Sequence, residues 1–179
     1  MPDYGRSRIA GGRYFFTVNL ADRRSCLLTD RVDDSRHAIR CARALPPFHI
    51  DAWVVLPDHT HAIWTLPEGD YDPPRRWRTI KDLFSRRLEP VERLSDSRVS
   101  QGERGVWQRR YWEQVIRDGR DFAAHLEYVH FNLVKHGYAQ HPADWPYSSF
   151  RACAARGLYP SGWIGSDDGR TDRGERVAE

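Results

Sequence analysis

The chain is nearly devoid of lysine: of its 28 basic residues only Lys81 and Lys135 are not arginine. Cysteine is also scarce, with Cys26, Cys41 and Cys153 widely spaced and odd in number. Such a set does not read as a disulfide framework or a zinc cluster, and it fits a reducing, cytoplasmic setting. There is no run of eighteen apolar residues and no apolar stretch in the opening MPDYGRSRIAGG, so neither a membrane span nor a secretory signal is expected. A glycine-rich phosphate loop and a G-x-S-x-G elbow are both missing, which argues against P-loop nucleotide chemistry and hydrolase-type acyl transfer. No internal repeat and no low-complexity tract occurs.

What remains is a globular composition. The 179 residues are 40% hydrophobic and 30% charged, enough for one domain with a core and too few for two. Net charge is +3, only mildly basic, with a pI of 8.9. The kind of charge says more than its sum. Arginine presents a planar fork to phosphates and guanine edges, and seven tryptophans and eight tyrosines accompany it. The pairing points to a nucleic-acid surface, although GC-rich codon usage produces the same bias.

Hydrophobic periodicity predicts an α+β chain. Residues 1–13 read as an arginine-bearing arm broken at Gly11-Gly12, residues 14–163 as one domain, and 164–179 as a charged tail. Tyr14–Leu20 is rich in aromatic and β-branched residues, which predicts a strand. Val32, Ile39, Ala42 and Leu45 recur at helical spacing up to Pro46-Pro47. Two apolar runs, 49–56 and 59–66, are separated only by Pro57-Asp58, which predicts a hairpin in a sheet covered on both faces. Trp77, Ile80, Phe84 and Leu88 mark one side of a helix whose other side carries Arg75, Arg78 and Arg86. Residues 89–105 read as a loop and 111–116 as a strand. Phe122, Leu126, Val129 and Leu133 give the clearest helix, 120–136, with Gly137 as its stop. Beyond it Trp145, Tyr147, Phe150 and Trp163 are aromatic anchors. Strand, helix, strand, strand, helix, strand is the ferredoxin-like order: an antiparallel sheet with packed helices, here with an added C-terminal helix.

Two constellations carry chemistry. His59 and His61 stand two apart in a strand, so both side chains leave the same face and can occupy two positions on one divalent ion. The same spacing suits two hydrogen-bonded core histidines, and spacing alone leaves both readings open. On the helix, Tyr128 and Asn132 are four apart on a flank of the apolar stripe, with His125 one turn earlier and Lys135 nearby. A tyrosine there can attack a phosphodiester beside a metal whose shell Asn132 completes, or it can be a half-buried packing residue. Asp58 and Glu68 bracket the histidine strand and read as turn residues, and Glu113 reads as a core-edge ion pair.

In order along the chain, GGRYFFTVNL, AWVVLPDHTHAIWTLPEGD, VWQRRYWEQVIRD, HLEYVHFNLVKHG, PADWPYSSF and ARGLYP resemble the REP-associated tyrosine transposases, domesticated relatives of the single-tyrosine HUH transposases. The resemblance covers about residues 11–163. It implies an HUH nuclease fold that cuts and joins single-stranded DNA at repetitive extragenic palindromes. Carried over by position, the HUH motif falls on His59-Thr60-His61, the catalytic tyrosine on Tyr128 and the third metal partner on Asn132. The middle motif position is usually hydrophobic and here is Thr60. The family's Asn-Pro is here Asn132-Leu133.

The resemblance implies metal-dependent cleavage and strand transfer through a 5′-phosphotyrosine, with Mg²⁺ or Mn²⁺ as cofactor. Its implied partners are single-stranded DNA hairpins carrying REP-like palindromes, bound by a monomer or a dimer in a cytoplasmic, nucleoid-associated setting with no membrane. Arg6, Arg8 and Arg13 of the arm, Arg75, Arg78 and Arg86, and Lys135 are the expected DNA contacts. Two rivals share the motif: an inactive nucleic-acid-binding module on the same fold, and a two-histidine phosphodiesterase that uses water.

Overall fold

The computed structural model describes residues 9–44, 46–90, 95–160 and 162–165. Arg6, Arg8 and Leu45, with most of the expected arm and tail, lie outside the described residues.

β1 (Arg13–Asn19) places Tyr14, Phe16 and Val18 on one face and Phe15, Thr17 and Asn19 on the other, and all six are buried. A strand covered on both sides explains why its sequence is not a clean apolar–polar alternation. β2 (His49–Val55) and β3 (His59–Thr65) form the expected hairpin. Its link is closed by Leu56 N donating to His59 O at 2.9 Å. β4 (Trp112–Val115) completes an antiparallel sheet of order β2-β3-β1-β4, the ferredoxin-like arrangement.

The two faces carry different helices. α2 (Val32–Ala44) and α3 (Pro73–Arg86) cover the face of Phe16 and Trp64, where the Trp64 and Trp77 rings stack with centroids 4.5 Å apart. α3 starts on Asp72, whose carboxylate accepts from Arg75 N at 3.2 Å, with proline in the first turn. α5 (Gly119–Lys135) covers the other face, burying Leu126, Val129 and Leu133 against Phe15, Ala52, Val54 and Ile63. Asp118 caps its start, accepting from Asp121 N at 2.8 Å. Gly137 ends it at φ +73°, a left-handed conformation that glycine adopts without a Cβ clash. α5 follows β4 in the chain, after the strand–helix–strand–strand–helix–strand order.

Three short helices were not expected: α1 (Leu27–Asp30), α4 (Asp96–Ser100) and α6 (Phe150–Ala155). α4 corrects the reading of 89–105 as a loop throughout. Four to six residues make less than two helical turns, too few for a periodic pattern to stand out. The aromatic anchors after α5 do hold the chain down. Trp145 Nε1 donates to Val55 O at 2.9 Å, and Phe150 stacks on Trp163. The three cysteines are free thiols. Among the described residues, no helix is long and apolar enough to cross a membrane.

Arg76 is 1% exposed; its guanidinium donates to Asp70 at 2.6 and 3.1 Å, to Pro47 O at 2.8 Å and to Asp72 O at 3.1 Å. The hydrogen bond from Arg76 holds the Asp70 carboxyl below the usual carboxylate range. Asp70→Ala strands the cation and is expected to lower stability by about 3 kcal/mol at pH 7. Because the folded pKa is depressed, this stabilisation is complete above the unfolded value, near 4, and fades as pH falls through the folded one. Urea midpoints of wild type and variant should therefore converge below about pH 4; a gap unchanged in strong acid contradicts the assignment.

Candidate active site

β3 presents His59 and His61 toward α5, both buried, with ring centroids 5.0 Å apart and planes at 82°. Each ring is fixed from behind. His61 Nδ1 lies 2.8 Å from the hydroxyl of Thr17, the residue directly opposite it in the β1–β3 register. His59 Nδ1 lies 2.7 Å from Asp58 Oδ1. With both Nδ1 atoms engaged by oxygen, Nε2 is the nitrogen left to face a ligand in each ring, and His59 Nε2 is buried without a hydrogen-bond partner.

Asp58 is more than a turn residue. Burial alone raises its carboxyl pKa, but the hydrogen bond to His59 and the charges of His59 and Arg23 outweigh that and hold it below the usual range. Arg23 Nε sits 2.8 Å from its second oxygen. Thr60, in the middle of the motif, points to the opposite face, where its hydroxyl donates to Val54 O at 2.7 Å. A polar middle residue is thus satisfied without touching the histidines.

α5 supplies the other wall. Its apolar stripe docks on the sheet and sets the rotation of the helix, which turns one flank, Tyr128, Asn132 and His136 at one-turn steps, toward β3. Tyr128 is half-buried; its ring stands edge-on to His61 at 5.2 Å and to Phe15 at 5.7 Å. His136 stands edge-on to His59 at 5.8 Å. Buried Asn132 is the middle rung of this flank, between Tyr128 against His61 and His136 against His59. Leu133 in place of proline is fully buried and the helix continues unbroken to Lys135. His125, also buried, packs 5.0 Å from Phe15 with Nδ1 2.7 Å from Asp121 O.

The donor set fits a divalent ion: two imidazoles with fixed Nδ1 atoms, an orphaned Nε2 and the buried Asn132 amide. Among the described residues, no group of three or more His, Cys, Asp or Glu side chains is poised to hold a metal.

The expected DNA contacts are less concentrated. Arg13 lies at the far end of β1 from the histidines, 3.0 Å from Thr65 Oγ1, 3.6 Å from Asp51 and stacked on Phe122 at 4.3 Å. Arg75, Arg78 and Arg86 belong to α3, across the sheet from Tyr128, and Arg86 pairs with Asp82 at 2.8 Å. Lys135 is exposed at the end of α5, beside His136. Glu113 lies opposite Phe16, hence on the α3 face of the sheet rather than with the histidines. Sequence reasoning missed Thr17, Phe15 and His136; their signals were the β1–β3 register and the eight-residue step from Tyr128.

No family model matches the chain. It is 46% identical to the REP-associated tyrosine transposase of Escherichia coli (strain K12) over 99% of both chains. A homologous chain from Haemophilus influenzae is 41% identical over 94% of this chain and 96% of its own length. Among solved structures, a REP-associated tyrosine transposase bound to a REP hairpin superposes with a TM-score of 0.82 and 45% identity, covering 100% of both chains. Identity of this extent over the full length, on the same fold, places the chain among the REP-associated tyrosine transposases, a class that cleaves DNA and transfers its strands.

Proposed function

We propose that the protein cuts and rejoins single-stranded DNA at REP-like hairpins by transesterification, with Tyr128 as nucleophile. The observation that carries this reading is the Tyr128 ring held edge-on against His61 at 5.2 Å. Phe15, stacked beside His61 at 5.8 Å, also meets the ring edge-on, and the two contacts restrict it so that the hydroxyl is presented in a narrow range of directions, as an in-line attack requires. The Tyr128 oxygen bonds to phosphorus as the bond to the 3′-oxygen breaks. Its proton passes to solvent and the departing 3′-oxygen takes one up. A phosphodiester is replaced by a phosphotyrosine ester, so rejoining needs no nucleotide energy.

His59 and His61, with Asn132, hold Mg²⁺ or Mn²⁺; when bound there the ion neutralises charge on the scissile phosphate. Thr17 and Asp58 fix which nitrogen of each imidazole faces the site. Arginine–phosphate contacts and stacking of unpaired bases on aromatic rings recognise the substrate, in keeping with cytoplasmic work on the nucleoid.

The substrate form tests the reading. Incubated with Mn²⁺, a labelled single strand carrying a REP-like hairpin is expected to be cleaved, and the same sequence annealed to its complement to be cleaved little. Equal rates on both contradict it, because a paired backbone does not reach a tyrosine recessed between helix and sheet.

A further inference from the structure

A second cleft, of about 460 Å³, opens between α3 and the 98–111 segment, away from the histidine pair. Five cations line it: Arg78, Lys81, Arg98, Arg104 and Arg109, against the acidic Asp82 and Glu103. Asp82 is matched by Arg86 from outside the lining, at 2.8 Å. Glu103 is shared by Arg109 at 3.1 Å and Arg98 at 3.9 Å. Among the described residues, Arg104 donates to a main-chain oxygen, Leu88 O, at 2.8 Å. Exposed Arg78 has no hydrogen-bond or ion-pair partner among the described residues. The cleft therefore keeps an excess of positive charge, most of it arginine.

Its walls also carry flat rings. Trp107 and Tyr111 are half-buried, and Trp107 is locked by Nε1 donating to Ser85 Oγ at 3.1 Å and by its edge-on contact with Phe84. Lys81 Nζ lies 5.7 Å from the centre of one ring and 5.4 Å from the other. Rigid aromatics beside the unpaired Arg78 guanidinium, in a cleft of net positive charge, suit unpaired nucleotides, whose bases stack while their phosphates are neutralised.

The cleft is joined to the site by the backbone. Gln108 N donates to Asn19 O at 3.0 Å and Trp107 bridges Leu20, while Asn19 pairs with His59 on the other side of β1. Two strand spacings, about 10 Å, separate the Gln108 backbone from that of His59. A DNA strand leaving the histidine pair has only the end of β1 to cross.

We propose that this cleft binds the unpaired nucleotides flanking the hairpin, with Arg78 on phosphate and Trp107 and Tyr111 as stacking surfaces. The proposal rests on the hairpin-processing role given above and assigns the single-stranded part of that substrate to the α3 side of the sheet.

The test compares one hairpin with and without its single-stranded flank, bound by the full chain in fluorescence anisotropy over a range of salt. Arg78→Glu is expected to weaken the flanked hairpin about tenfold, to lower its salt slope by about 0.7 for the lost contact, and to shift the blunt hairpin less than twofold. Circular dichroism confirms that the variant is folded. Independently, a flank carrying 5-iodouracil should photo-crosslink to Trp107 or Tyr111, identified by mass spectrometry. Equal weakening of both hairpins, no weakening at all, or crosslinks confined to other parts of the chain overturns the assignment. A wild-type protein that binds no hairpin overturns the underlying role instead, so the two failures are distinguishable.

Discussion

Tyr128→Phe is expected to abolish cleavage and the covalent protein–DNA adduct together, by at least about a thousandfold, while leaving the protein folded. The variant keeps the ring that packs on Phe15 and His61 and loses one oxygen. On a half-buried side chain that change is worth about 1 kcal/mol of stability or less. Hairpin affinity should survive, since it rests on arginine–phosphate contacts rather than on the tyrosine. Denaturing gels read the adduct and urea unfolding reads the fold. An adduct that persists in this variant moves the nucleophile to another of the eight tyrosines. Cleavage that persists without an adduct favours a phosphodiesterase that uses water.

The second large effect concerns the histidines. His61→Ala should eliminate Mn²⁺-dependent cleavage, and EDTA should do the same to wild type. Hairpin affinity should again remain. His61 is fully buried and bonded to Thr17, so its removal also costs about 1–3 kcal/mol of stability. A gentler variant separates the two effects. Thr17→Val preserves shape and leaves the imidazole in place but frees Nδ1, and is expected to weaken Mn²⁺ binding, measured by calorimetry, by roughly 10–100-fold. Cleavage that is indifferent to EDTA contradicts the metal reading, and unchanged Mn²⁺ affinity in Thr17→Val contradicts the orienting role of the hydroxyl.

Much of this was legible in the sequence because two periods dominate it. The two-residue step of His59 and His61 and the four- and three-residue steps of the α5 stripe each name a face without knowledge of the partner, and the sheet and helix meet on those faces. Gly137 stops the helix where expected. Thr17 was not legible: its link to His61 exists only once β1 and β3 pair in one register, and nothing local to either strand fixes that register. Asp58 reads locally as a turn residue because the turn is visible and its buried contact with Arg23 is not. The arginines of α3 were correctly placed on the polar side of their helix, but the sequence does not say which face of the sheet that helix covers. The topology puts it opposite α5, so these side chains lie across the sheet from the tyrosine, with Arg78 on the wall of the second cleft. The family resemblance supplied the roles of His59, His61, Tyr128 and Asn132, which the periods alone left open.

The most direct test of the account is to map the adduct. A single-stranded hairpin is labelled in parallel on the 5′ and the 3′ side of the cut, incubated with wild-type protein and Mn²⁺, denatured, and the protein-linked band digested for mass spectrometry. The account predicts that only the 3′-side label travels with the protein and that the nucleotide remnant lies on the peptide containing Tyr128. A 5′-side label on the protein, a remnant on another residue, or cleavage with no covalent band contradicts it.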